Sequence, residues 1–261
     1  MKRSNLPVFS IFLLVFAAGC SSNVAPPAVT PTTYPHVTYS DSTKYTYHSN
    51  ARDTSSGNFD QPIYSSTDTI TSTVVATNQT YMSMSNVTIL VNHHSKANTP
   101  NDTTYIAQDS GNFWHYNYGL EAVNNNANII KVIGSPVEVG WVLQAKLSAV
   151  AGDTWTAVNN QNLSIKIGST PIAATAVIKA VERSDTSISV QGSLVTAKHA
   201  TDTVTLTASI FPNNPIVTTV DTYVAASVGV TLNIVHSAQV NLPQLYNGPV
   251  EGSQSLLVGH S

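Results

Sequence analysis

The sequence predicts an all-β protein, and three observations carry that prediction. Apolar residues alternate with hydroxyl and amide residues at a period of two over many segments. Charged residues make up only 10% of the chain, too few for solvated helix faces, while Ser, Thr and Asn are abundant and suit the outer faces of strands. Clusters of Asn, Asp, Gly and Pro interrupt the alternation at hairpin spacing. Antiparallel meanders of such half-buried strands form a curved sheet, closing as an incomplete barrel or as a two-sheet sandwich.

Taken in order, Lys44 to His48 reads as the first strand, followed by a polar loop through Pro62. Thr69 to Ala76 and Tyr81 to Asn92 read as long strands joined at Asn78-Gln79. Thr103 to Gln108 and Asn112 to Tyr118 form a hairpin around Asp109-Ser110-Gly111, with glycine where φ should be positive. An Asn-rich loop, Asn124 to Asn128, is the best internal boundary, dividing a first β half (37–126) from a second (127–241). Val137 to Leu147 fits two templates. Ser135-Pro136-Val137-Glu138 has the spacing of a helix capping box, yet Val137, Val139, Trp141, Leu143, Ala145 and Leu147 alternate strictly, and Gly140 would weaken a helix. The strand is favoured.

Alternation is cleaner beyond this point. It runs through Leu163, Ile165 and Ile167, then Val204 to Ile210, then Val228 to Ile234, and Ala173 to Arg183 is also read as a strand. Residues 242–261, with two prolines and three glycines, read as an irregular tail. Thr104-Tyr105-Ile106-Ala107 with Gly111 reappears as Thr222-Tyr223-Val224-Ala225 with Gly229, and Lys44-Tyr45-Thr46 has a counterpart in Thr154-Trp155-Thr156. Either the chain carries an internal duplication, or similar hairpins converged on similar residues.

The first residues have a different character. Lys2 and Arg3 precede an apolar run from Leu6 to Ala18, and small residues then lead to Cys20, the only cysteine. This is the pattern of an export signal with a processing site, residues 1–19. Residues 20–36, rich in Pro, Ser and Thr, read as an extended linker. Phe16-Ala17-Ala18-Gly19-Cys20 resembles the bacterial lipobox. The resemblance implies cleavage before Cys20, a diacylglyceryl thioether on its sulfur and an acyl chain such as palmitate on its amino group. Three chains make a durable anchor at ~0.8 kcal/mol per buried methylene. Ser21 after the cysteine favours the outer membrane by the same resemblance. Gly152-Asp153-Thr154-Trp155 and the two Tyr-x-Ala-x-x-x-Gly hairpins look like those of a loose class of uncharacterised bacterial lipoproteins, which implies a curved antiparallel sheet and no particular activity.

Composition then limits the function. The mature part retains nine basic residues against 14 acidic ones, so nothing favours nucleic acid. With Cys20 lipidated, no thiol remains for a disulfide or a zinc cluster. No Gly-x-Ser-x-Gly elbow, His-Glu-x-x-His pair, phosphate loop or dinucleotide fingerprint occurs. The expectation is therefore a non-catalytic, lipid-anchored envelope domain without cofactor or metal, with an envelope protein or glycan as partner. The alternative is a carrier whose curved sheet encloses a hydrophobic ligand or a glycan. A hydrolase would need a distant Ser to meet His115 or His199 and an Asp in one cleft.

Three sets of residues are candidates for specific roles. Trp114, Tyr116 and Tyr118 should share one strand face and could stack on a ligand, or pack in the core. His93 and His94 are neighbours on a strand and so point to opposite faces, which argues against a shared metal ion. Of ten Asp residues, nine precede Ser or Thr. Turn chemistry explains this pattern, but Ser42, Thr69, Thr103 and Thr203 also resemble the Asp-Ser/Thr-apolar O-glycosylation sites of some exported bacterial proteins.

Overall fold

The computed structural model describes residues 35–261 other than 98, 125–126 and 168–169. The export signal, Cys20 and most of the linker lie outside the described residues.

Six strands form a first antiparallel meander in sequence order: β1 (Lys44–Arg52), β2 (Pro62–Tyr81), β3 (Met84–His94), β4 (Asp102–Asp109), β5 (Asn112–Tyr116) and β6 (Trp141–Lys146). Two short helices, α1 (Glu121–Asn124) and α2 (Ala127–Ile133), precede β6. The second meander comprises β7 (Thr154–Ile167), β8 (Thr170–Glu182), β9 (Thr186–Val190), β10 (Ser193–Ala208), β11 (Ile216–Ala225) and β12 (Gly229–Val235), with β9 paired to β10 off the main path. A separate hairpin, β13 (Ala238–Leu242) with β14 (Tyr246–Val250), leads to β15 (Ser253–His260).

The two meanders form one sheet because β15 pairs with β1 on one edge and β12 on the other. The sheet curls until its ends approach. Trp155 Nε1 on β7 donates to Leu143 O on β6 at 2.9 Å, closing with a side chain a seam that has no backbone ladder. The fold is thus the predicted all-β curved sheet, nearly closed as a barrel.

Several sequence expectations require correction. Residues 242–261 are not an irregular tail. The run Ser-Gln-Ser-Leu-Leu-Val lacks alternation, yet ladders on both edges satisfy its backbone. The β2–β3 turn lies at Met82 and Ser83, both at positive φ, while Asn78 at φ 54° is absorbed into a bulge of β2. The Asn-rich segment is not a plain loop, since Asn124 ends α1 and Asn128 lies in α2, with Gly134 at φ 76° following α2. Val137 to Leu147 does contain a strand, but only from Trp141 onward, because Gly140 sits at φ 73°.

Buried side chains fall into two main clusters. One fills the second meander, where Ile178, Val204 and Val220 meet Leu120, Val123 and Ile129 of the helical segment and Val240 and Val250 of the hairpin. The other joins Tyr45, Val74 and Phe113 of the first meander to Val37, to Leu257 of β15 and to Val190, Ala197 and Val224 of the second meander. The repeated landmarks occupy equivalent places. Tyr105 lies on the fourth strand of its meander and Tyr223 on the fourth main-path strand of its own. Gly111 and Gly229 follow them at φ 84° and 82°.

Candidate functional site

The two ends of the first meander differ. At one end the chain enters the barrel as a plug. Val37 is buried, with both backbone groups held by Gln108: Val37 N donates to Oε1 at 2.6 Å, and Nε2 donates to Val37 O at 2.9 Å. Tyr39 follows, packed edge-on against Tyr45 with centroids 5.7 Å apart, and burial beside Tyr47 and Tyr45 raises its pKa. Tyr47 donates to Val230 O at 3.2 Å, so tyrosines floor the interior.

The other end is open. Its mouth is a cleft of about 590 Å³ bounded by the end of β1, the start of β2, the end of β3 and the start of β15. Ile70, Asn233 and Ser255 line both this cleft and an inner chamber of about 180 Å³. β1 runs from Tyr45, against the plug, to Ser49, Asn50 and Ala51 at the mouth.

A histidine organises the rim. His94 Nδ1 lies 2.7 Å from Asp68 Oδ2 and Nε2 lies 3.3 Å from Asp102 Oδ2. Burial would lower the His94 pKa, but its bonds to Asp68 and Asp102 outweigh that and raise it. Burial would raise Asp68, yet His94, the Lys96 amide and Ser95 hold it below the usual value. Glu121, also at the mouth, accepts from Gly119 N at 2.9 Å, and burial raises its pKa to about 7. His93, its ring on the opposite face, is exposed. Among the described residues no cluster of three or more His, Cys, Asp or Glu side chains is placed to hold a metal ion.

The chamber walls mix aliphatic and hydrogen-bonding groups without a charged side chain. Many of the polar groups are braced internally. Ser72 Oγ donates to Asn92 Oδ1 at 2.6 Å, Asn92 Nδ2 donates to Thr104 Oγ1 at 2.8 Å and to Asp102, and Asn233 Oδ1 accepts from Thr222 Oγ1 at 3.1 Å. Two atoms are different. Gln144 is 1% exposed, and its Oε1 and Nδ1 of the adjacent His115 find no partner among the other wall groups. Burial lowers the His115 pKa to about 4, against the opposing effect of its interaction with the Gln144 amide and of Asp102, so the ring is neutral at pH 7.

The residues predicted from sequence are only partly brought together. Tyr116 joins a half-exposed outer cluster with Tyr81, Tyr105 and Trp141. Tyr81 and Tyr105 stack at 3.9 Å, and Tyr116 meets Tyr81 edge-on at 5.1 Å and Trp141 at 5.5 Å. Trp114 packs instead beside Leu143, Trp155 and Ala180. Tyr118 does not share the outer face: Asn117 at φ 57° ends the alternation, and Tyr118 turns inward, 1% exposed, to bond with Thr222. Ser42, Thr103 and Thr203 are exposed and far apart in the fold, whereas Thr69 is half-buried in β2 and donates its amide to Ser95 Oγ. Nor does Asp always close a turn. Asp202 lies buried within β10, and Asp221 on β11 bonds His199 at 3.1 Å and His236 at 2.9 Å. The partners of the two proposed triad histidines are therefore separate, with His199 on Asp221 and His115 in the chamber.

No family model and no curated protein matches the chain. Solved structures do match in fold. A candidate lipoprotein of Parabacteroides distasonis aligns over 88% of this chain and 99% of its own with a TM-score of 0.51 at 9% identity. A candidate exported protein of Bacteroides fragilis, described as having a YmcC-like fold, covers 88% and 100% with a TM-score of 0.48 at 10% identity. The hypothetical lipoprotein YmcC of Escherichia coli covers 82% and 83% with a TM-score of 0.34 at 9% identity. At 9% identity the likeness to the Parabacteroides distasonis protein is one of architecture.

Proposed function

We propose that this chain is a lipid-anchored, non-catalytic protein of the bacterial outer membrane that holds a small water-soluble ligand in its barrel. The observation that carries the reading is the opposition of the two ends. The chain enters at the plugged end, at Val37 and Tyr39, and the interior opens at the other, beside His94. The described chain thus begins at the closed end, away from the mouth. The polar mouth also counts against the hydrophobic-carrier alternative, since an apolar ligand would strip its carboxylates and amides of water without replacing the lost hydrogen bonds.

The anchor is tested by Cys20→Ser expressed in a Gram-negative host, followed by membrane fractionation. The wild-type protein is expected to sediment with outer membranes, and the variant to stay unprocessed or appear in the soluble fraction. A variant that is cleaved and sediments as before refutes the anchor. Native mass spectrometry of protein extracted from its own envelope tests the binding half: a retained small molecule is expected, and a mass of acylated polypeptide alone counts against it.

A further inference from the structure

The geometry points to a neutral, hydroxyl-rich ligand, a sugar or polyol unit, seated in the inner chamber against Gln144 and His115. This rests on the binding function proposed above and specifies its ligand. Charge is the first discriminator. No ionised side chain lines the chamber and His115 is neutral there, so an entering anion or cation would lose its hydration and find no counter-charge. The mouth adds to the bias against anions, with Asp68, Asp102, Glu121 and Glu251 facing Lys96 and His94.

Polarity is the second discriminator. A purely apolar occupant would leave Gln144 Oε1 and His115 Nδ1 buried with no partner but each other. A ligand with hydroxyls on its edges and C–H groups on its faces satisfies both kinds of wall, because Ile70, Leu90, Ile106 and Val230 stand among the polar residues. Size is the third. The chamber of about 180 Å³ corresponds to about six waters at ~30 Å³ each, room for one ring and not for a chain. The wider mouth holds whatever follows that ring, so a free monosaccharide and the end of an oligosaccharide are both accommodated.

Calorimetry on the full-length lipoprotein in detergent tests this. The probes are glucose, galactose, N-acetylglucosamine, myo-inositol and a tetrasaccharide of N-acetylglucosamine, with glucuronate, spermidine and decanoate as charged and apolar comparators. At least one neutral probe is expected to bind, and Gln144→Leu, which keeps the volume, is expected to weaken it tenfold or more while the exposed His93→Ala leaves it unchanged. Tighter binding of the tetrasaccharide than of the monosaccharides identifies a glycan end as the source, and equal binding identifies the free sugar. Ser255→Leu, which narrows the neck shared by mouth and chamber, gives the same loss if Gln144→Leu proves unstable. Preference for glucuronate, spermidine or decanoate overturns the ligand class and leaves the binding function standing. If no probe binds, the mass retained by the native protein decides: a carbohydrate mass supports the inference, another mass overturns it, and no mass overturns both readings.

Discussion

The two meanders share a strand plan and differ in what lies beneath it. The second is solid: Ile178, Val204 and Val220 are covered by Leu120, Val123 and Ile129 from the helical segment and by Val240 and Val250 from the β13–β14 hairpin. The first is plugged only at one end, by Val37 and Tyr39, and its middle is lined by Ser72, Asn92, Thr104 and Gln144. The strand repeat therefore does not decide whether an interior is core or chamber. The inserted segments and a few inward polar residues decide it.

Paired substitutions sharpen this contrast, the largest expected effect coming first. Ile178→Ala removes a side chain that is 0% exposed in the solid half and should destabilise by about 3–4 kcal/mol, as closed core cavities do. Leu90→Ala enlarges a chamber that already exists and should cost about 2 kcal/mol, at the low end of that range. Urea titration of both variants checks the difference, and equal losses would mean that the first meander is packed like the second.

The plug comes next. Gly229 and Gly152 both sit at positive φ, but a Cβ at Gly229 would meet Tyr39 Oη at 2.5 Å, whereas none of the surrounding atoms lies within 4 Å of one at Gly152. Gly152→Ala should therefore cost only the backbone term of about 1 kcal/mol. Gly229→Ala should exceed it by about 1 kcal/mol or more through displacement of Tyr39, with a change in near-ultraviolet tyrosine signal. Equal costs and an unchanged tyrosine signal would show that Tyr39 gives way freely.

The smallest effect concerns the ionic link between the halves. Asp60, in the β1–β2 loop, receives Arg52 Nε at 2.8 Å and His236 Nδ1 at 2.6 Å, and His236 Nε2 reaches Asp221 on β11 at 2.9 Å. The bond to Asp221 is the main cause that raises His236, while His236 and its neighbours lower Asp221 against the opposing effect of burial. A raised histidine stabilises fully below its unfolded pKa of about 6.5 and loses this as pH rises through its folded value. A lowered carboxylate stabilises above about 3.9 and loses this as pH falls through its folded value. His236→Gln should therefore cost about 1 kcal/mol between pH 4 and 6.5, with partial exposure discounted, and progressively less at higher pH. A cost independent of pH would assign His236 a packing role alone.

The strands were legible where one face meets water and the other meets core. Val204 to Ile210 and Val228 to Ile234 alternate cleanly and lie largely in β10 and β12. The chamber was not legible, for a physical reason. An inward polar residue gives the same period-two pattern as an outward one, so the pattern does not single out Ser72, Asn92 and Gln144, each of which is buried. β6 is buried on both faces, and its inner face could not be picked out by pattern. The helices were missed because α2 has only seven residues and α1 four. Of the three aromatic candidates only Tyr116 joined the outer cluster, and the turn at Asn117 that diverts Tyr118 leaves no trace in hydropathy.

β15 carries a consequence for how the molecule is made. Until residues 253–260 are in place, β1 and β12 each lack one neighbour, and the rest of the sheet shows two raw edges. Closure depends on the contact of β1 with β15, which are far apart in the chain, a slow kind of contact to form. Association of such edges with other chains is thus the hazard of the incomplete sheet, and docking of the eight-residue β15 removes it.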